Sequence, residues 1–138
     1  MTASTRRAAA SRPVARFRLR VTADDVIFVG PGKIALLEAI RETRSITAAA
    51  RSLGMSYRRA WILVDEMNRA LASAVVASAT GGERGGGSTL TPLGDEIVAI
   101  YRRIEATATR ACSSDIDRLL ELAAHHPSGA RRQSRSTP

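Results

Sequence analysis

Residues 45–71 read SITAAARSLGMSYRRAWILVDEMNRAL, and this stretch decides the fold. Ile46, Ala49, Ala50 and Leu53 stand at i, i+3, i+4 and i+7, one face of a short helix. Ser45 is placed to cap its start, and Gly54 to end it in a left-handed conformation. A second period begins at once behind Ser56: Tyr57, Ala60, Trp61, Val64, Met67 or Asn68, and Leu71 form one apolar face through four turns. Trp61 is expected in the core of that face. The first helix has only two turns, too few for stability alone, so packing must hold it. With only Gly54-Met55-Ser56 between them, the two helices cannot lie antiparallel and should cross steeply, the geometry of a helix-turn-helix. Small side chains at Ala49 and Ala50 let the second helix approach the first closely.

Working outward, Phe17, Leu19 and Val21 alternate with Arg16, Arg18, Arg20 and Thr22, which predicts a short half-buried strand that Val26–Val29 continues or pairs with. Gly30-Pro31-Gly32 breaks the chain, and Ile34, Leu37 and Ile40, with Leu36 beside them, predict a helix from Lys33 to about Arg44. Downstream, the apolar run Ala74–Ala79, the Gly-rich stretch 80–87 and Ser88-Thr89-Leu90 predict a β-hairpin with a flexible tip, a wing beside the two helices. Thr91 as N-cap and Pro92 at the first position start a last helix. The series Leu93, Ile97, Ile100, Tyr101, Ile104, Ala108, Ala111, Leu119 and Leu122 carries it to about His125, with Thr107, Ser113, Ser114 and Asp115 weakening its middle. Such a helix would be about 50 Å long, and its apolar stripe needs a partner. The expectation is a homodimer joined through Ile97, Ile100, Tyr101, Ile104, Ala108, Ala111, Leu119 and Leu122. The fold class is mainly α with a small β-hairpin: a winged helix-turn-helix over 16–91 and a long dimerisation helix over 92–125.

A chain of 138 residues is one domain plus tails, and an apolar fraction of 44% is enough for a core. Aromatic residues are only 4%, so that core rests on Ala, Leu, Ile and Val, which leans the fold toward helix. The net charge of +8 is carried by the ends: residues 1–20 hold six Arg and residues 131–138 hold three, with no acid in either, whereas the middle is near neutral. Residues 1–15 and 126–138 are read as disordered basic arms that track polyanions. Cys112 is the single cysteine, so no intramolecular disulfide forms; it is read as a small buried hydrophobe or a dimer-interface residue. No apolar run approaches membrane-spanning length and no signal-like segment opens the chain, so no membrane partner and a cytoplasmic location are expected.

Over residues 30–110 the chain resembles the N-terminal DNA-binding domain of the molybdate-responsive regulator ModE, a winged helix-turn-helix close to that of LysR-type regulators. The resemblance is carried by Ser45-Ile46, Ala49-Ala50, Gly54-Met55-Ser56-Tyr57, Ala60-Trp61, Glu66-Met67-Asn68, Thr80-Gly81-Gly82 with Gly85-Gly86-Gly87, and Leu90-Thr91-Pro92-Leu93-Gly94. It implies double-stranded DNA as partner, dimerisation and transcriptional control. Full-length ModE regulators continue into a molybdate-binding module; this sequence ends in an Arg/Ser tail at Pro138, so the expectation is a domain without that sensor.

In a winged helix the recognition helix enters the major groove, and side chains near its N-terminus reach base edges. Here these are Ser56, Tyr57, Arg58 and Arg59, with Ile62 one turn on. Arg58 and Arg59 point away from the apolar face and are either groove contacts or solvated charges. Tyr57 falls on the apolar side of the wheel and is expected to pack in the core with its hydroxyl at the rim. Ser45 and Thr47 are either helix caps or phosphate ligands. Arg84, the one cation of the wing tip, is either a DNA contact or part of a flexible loop. The Gly-rich tip lacks the Gly-Lys-Ser/Thr ending of a nucleotide loop. His125 and His126 lack partners at metal-ligand spacing and no nucleophile–base pair stands out, so no enzyme, no metal and no cofactor are expected. Alternatives to a sequence-specific homodimer are a sensorless modulator that heterodimerises with a related regulator, and a non-specific nucleic-acid binder acting through its arms.

Overall fold

The computed structural model describes residues 12–79 and 87–124. Residues 18–106 form one compact unit; of the other described residues, 12–17 and 107–124 belong to a second.

The first unit opens with an antiparallel pair, β1 (Val21–Ala23) and β2 (Val26–Val29), which turns at Asp24 with positive φ. The half-buried strand expected to start near Phe17 is shorter: residues 12–20 are irregular and β1 is exposed throughout. Leu19 alone of that alternation packs on the core, because Tyr101 Oη donates to its carbonyl 2.9 Å away and holds the segment without a ladder.

Helix α1 (Pro31–Thr43) starts with Pro at its first turn and ends at Arg44, whose φ of 60° turns the chain while its N–H reaches the Ile40 carbonyl. Helix α2 (Ile46–Ser52) follows, with Ser45 Oγ accepting the Ala48 N–H at 3.0 Å. Gly54, at φ 69°, makes the turn that a Cβ would strain. Ser56 Oγ then accepts the Arg59 N–H at 3.0 Å and starts α3 (Tyr57–Leu71). Both serines fill the capping role read from the sequence. Ala49, Ala50 and Ala60 are fully buried among Leu36, Ile40, Leu63 and Val64, so small side chains do set the approach of α2 and α3.

The buried stripe of α3 is rotated from the expected one. Ala60, Leu63, Val64 and Met67 face inward, while Tyr57 and Trp61 are 53% and 40% exposed. The two wheels share Ala60, Val64 and Met67, and it is Leu63 that packs with Ala49, Ala50, Leu36 and Ile40 in the core. Asn68 also stays out of the apolar stripe: its Oδ1 accepts the Val75 N–H at 2.8 Å.

That bond starts the wing. β3 (Val76–Ala79) and β4 (Gly87–Leu90) pair antiparallel, Val76 opposite Leu90. The Thr91 N–H donates to the Val75 carbonyl at 3.0 Å and its hydroxyl to Ala74 at 2.8 Å, while Ser88 donates to the Arg44 carbonyl at 3.0 Å. The hairpin is therefore fixed at its base to α3 and to the start of α4, and further along β4 to the α1–α2 corner. A second core cluster, Val29, Ile34, Leu37, Met67, Val75, Val98 and Tyr101, joins β2, α1, α3 and α4 behind it.

The span expected as one helix is two: α4 (Pro92–Ala111) and α5 (Ser113–Ala124), divided at Cys112. The division falls where Thr107, Ser113, Ser114 and Asp115 lower helix propensity, and Ser113 opens the second helix. Cys112 is exposed rather than buried. His125, His126, Arg84 and the arms at 1–11 and 126–138 lie outside the described residues. Among the described residues no helix is long and apolar enough to cross a membrane.

Candidate nucleic-acid interface

The solvent face of α3 follows from its buried one. With Ala60, Leu63, Val64 and Met67 inward, the opposite side of the wheel is centred on Arg58 and Ile62, with Asp65 and Arg69 below them. Arg58 and Arg59 are exposed, Ile62 is 41% exposed, and among the described residues neither arginine has an ion-pair partner. Asp65, the nearest acid in sequence on this face, is held by Arg69 at 2.8 Å. The first turn and a half of α3 thus presents uncompensated guanidinium groups, while its later turns are electrically balanced.

Tyr57 and Trp61 flank Arg58 on one side. Their rings meet edge-to-face, with centroids 6.2 Å apart and planes at 75°. Neither packs as expected; both form an exposed aromatic shoulder on the candidate recognition surface. The hydrophobicity of Trp61 pointed the sequence reading inward, and Leu63, a full member of the alternative stripe 60, 63, 64, 67, 71, was the signal that would have turned it.

Arg59 lies on the other flank, beside a cavity of about 500 Å³ lined also by Arg18, Arg20, Lys33, Asp25 and Glu66. Lys33 is 5% exposed, and its ammonium reaches both the Ile27 carbonyl and, at 2.9 Å, Glu66 of α3. This half-buried link pins the middle of α3 to α1 and β2 beside Arg59. Nothing in the periodicity distinguished Lys33 from a surface lysine, because its two partners, Ile27 and Glu66, come from two other segments.

Of the other candidate residues, Thr47 is exposed in the first turn of α2 and Ser45 is half-buried with its oxygen engaged as a cap. On the dimerisation stripe the structure corrects one assignment plainly. Tyr101 is 2% exposed and belongs to the core of its own chain, tied to Leu19; Ile97 is half-buried against the same core. A ring about two and a half turns into α4, on its domain-facing side, packs with Val29 of β2 in the core, so it is not free for a second chain. Ile100 (40%), Ile104 (45%), Leu119 (67%) and Leu122 (51%) remain exposed, Ala111 is exposed and Ala108 half-buried.

The arginine beside Tyr101 is spent on structure. Arg102 donates from Nε and Nη2 to the two oxygens of Glu38 (2.9 and 2.6 Å) and from Nη1 to Glu105 (2.6 Å). The hydrogen bonds from Arg102 outweigh partial burial and hold the Glu38 carboxyl below its ordinary value. Burial, helped by Glu105, pushes the Tyr101 phenol up. Arg102 therefore locks α4 to α1 and is unavailable to a polyanion.

An exposed, cation-led first turn on the second helix of a helix-turn-helix, with a wing fixed beside it, is a DNA-reading arrangement. Residues 32–95 match the family described as bacterial regulatory helix-turn-helix protein, lysR family. Residues 32–95 are a LysR-type helix-turn-helix domain. The chain is 49% identical to the molybdenum-pterin-binding protein MopB of Rhodobacter capsulatus over 62% of its length and 32% of that protein. It is 37% identical to the molybdenum transport protein ModE of Azotobacter vinelandii over 78% of its length and 40% of that protein. It is 39% identical to the DNA-binding transcriptional dual regulator ModE of Escherichia coli K12 over 54% of its length and 29% of that protein. The chain thus spans about a third of the length of the curated relatives it matches. The LysR-type domain accounts for the order α1–α2–α3–wing.

Proposed function

We propose that this chain is the DNA-reading part of a transcriptional regulator linked to molybdenum, acting in the cytoplasm without enzymatic chemistry. The observation that carries this reading is the exposed first half of α3, where Arg58, Arg59 and Ile62 project without acidic partners from a LysR-type helix-turn-helix. Alpha-helical side chains in this position reach base edges when the helix lies in the major groove, and an arginine can pair with both acceptors of a guanine. Tyr57, Trp61 and Ile62 offer apolar contact to thymine methyl groups or sugar. Ser45, Thr47 and Ser56, at the starts of α2 and α3, are suited to backbone phosphates. The link to molybdenum rests on relatives whose names carry it.

The protein acts as a homodimer on a pseudo-palindromic site in this reading, supported by Ile100 and Ile104 on α4 and Leu119 and Leu122 on α5, which leave apolar side chains in solvent. The test is selection from a randomised duplex pool by the purified chain at near-physiological salt, with sedimentation to give the assembly. Enrichment of an inverted repeat by a dimer is expected. Arg58→Ala is expected to weaken binding to the selected site more than to random duplex, by about 1 to 3 kcal/mol. A pool without enrichment, or equal loss on both duplexes, removes base reading by Arg58.

A further inference from the structure

Three arginines from two distant parts of the sequence meet around one cavity. Arg18 and Arg20 come from the irregular segment before β1, and Arg59 comes from the first turn of α3. The segment is not a loose arm at this point. Leu19, between the two arginines, packs on the core, and its carbonyl accepts the Tyr101 hydroxyl 2.9 Å away. The stem of Arg20 lies against Gly30, where a Cβ would sit 3.4 Å from its Cγ. Inward Leu19 forces its two neighbours outward, and the tyrosine fixes the register at which they stand.

The lining carries four cations, Arg18, Arg20, Lys33 and Arg59, against two carboxylates, Asp25 and Glu66, a net +2. Lys33 and Glu66 cancel each other at 2.9 Å, which leaves the three arginines opposed by Asp25 alone. Among the described residues none of the three has an ion-pair partner. Arginine forks converging on an open space are the chemistry of a phosphate site. Arg59 is part of the helix that would enter the groove, so the ligand that meets it while α3 is docked is the sugar–phosphate strand bounding that groove.

We propose that Arg18, Arg20 and Arg59 form a phosphate cradle that grips one DNA strand beside the groove read by α3, making the segment 18–20 part of the DNA interface. This rests on the DNA-reading function given above. It differs from a general pull by basic arms in one respect: the three arginines share a phosphate, so their effects must be coupled.

The test is fluorescence anisotropy of the full chain with a labelled random-sequence duplex, over about 50 to 200 mM salt, where each phosphate contact steepens the fall of log K with log salt by about one. Arg18→Gln/Arg20→Gln is expected to flatten that slope by about one, because the arginines share a single phosphate, and Arg103→Gln, an exposed arginine of α4 outside the cavity lining, to leave it unchanged. Arg59→Gln should cost less affinity in the Arg18→Gln/Arg20→Gln background than alone. Arg18→Lys/Arg20→Lys, with matched melting temperatures across the set, should keep the slope. Additive losses, or an unchanged slope in the double variant, overturn the cradle while leaving the α3 reading intact. A melting temperature raised by inorganic phosphate in the unsubstituted chain but not in the double variant, with no change in duplex slope, identifies a small-anion site and overturns the DNA contact. No binding of the unsubstituted chain to any duplex overturns the DNA-reading function and the cradle with it.

Discussion

Gly94 stands in the first turn of α4, where helix propensity and packing make opposite demands. Replacing glycine by alanine in a helix gains up to about 1 kcal/mol from the backbone entropy lost on folding. A Cβ at Gly94, however, would stand 2.3 Å from the Val75 carbonyl oxygen and 3.3 Å from Leu90 Cβ. Ordinary contact begins at 3.4 Å, so the carbonyl and α4 must part by about 1 Å. That carbonyl accepts the Thr91 N–H at 3.0 Å, and Thr91 is also the cap of α4 through its hydroxyl, 3.1 Å from the Gly94 N–H. Overpacking of this kind costs about 1 to 3 kcal/mol and a weakened hydrogen bond about 1 more. After the propensity gain, Gly94→Ala is expected to destabilise by about 1 to 3 kcal/mol, a fall of roughly 5 to 20 °C in melting temperature for a unit of this size. Gly32→Ala is the internal control: it lies in α1 with nothing within 4 Å of the added Cβ, and should be neutral or raise stability by up to about 1 kcal/mol. Urea and thermal melts followed by circular dichroism measure both. A Gly94→Ala protein as stable as Gly32→Ala would mean that the wing base and α4 do not approach as closely as the carbonyl distance requires.

Tyr101→Phe keeps the ring and removes the hydroxyl that holds Leu19, and should cost about 0.5 to 1.5 kcal/mol in urea melts while speeding proteolysis near residues 18–20. Tyr101 titrates above its ordinary value because it is buried, so its contribution is whole below about pH 10 and is lost as pH rises through the folded value; Tyr101→Phe should melt less steeply with pH in that range. Glu38 behaves in the opposite sense. Its folded value lies below 4.5, held there first by hydrogen bonds from Arg102, so the pair stabilises above that pH and fades as pH falls through the folded value. With both partners partly in solvent, Glu38→Gln should cost at most about 1 kcal/mol at neutral pH, and the difference from the unsubstituted chain should close in acid. Ser56→Ala removes the cap of α3 and should cost about 1 kcal/mol by urea melt; Ser56→Asp, which can cap equally well, should restore stability.

Much of this protein is local, and locality made it legible. Ser45, Ser56 and Thr91 cap helices through bonds to residues three positions on, and Gly54 turns within its own peptide, so a reader of the chain meets both partners within one turn. Periodicity placed α1 and α2, with Ile34, Leu37, Ile40, Ala49 and Ala50 buried as read. It failed at Tyr57 and Trp61, because two wheels 63 and 61 apart share most of their members and only the neighbouring helix chooses between them. It failed again at Tyr101, which has the spacing of an external stripe and the position of an internal plug. Pairwise spacing carries no information about a partner 82 residues away.

The sequence by itself determined the order of elements as far as the start of α4, the caps at Ser45, Ser56 and Thr91, the wing strands and the cation-rich first turn of α3, since each is written in residues adjacent on the chain. Tertiary structure decided which face of α3 is exposed, where Lys33 goes, that Tyr101 belongs to the core, and that Arg18 and Arg20 stand beside Arg59. The physical reason is that burial depends on what fills the space opposite a side chain, and that neighbour is set by the folding of distant segments against one another.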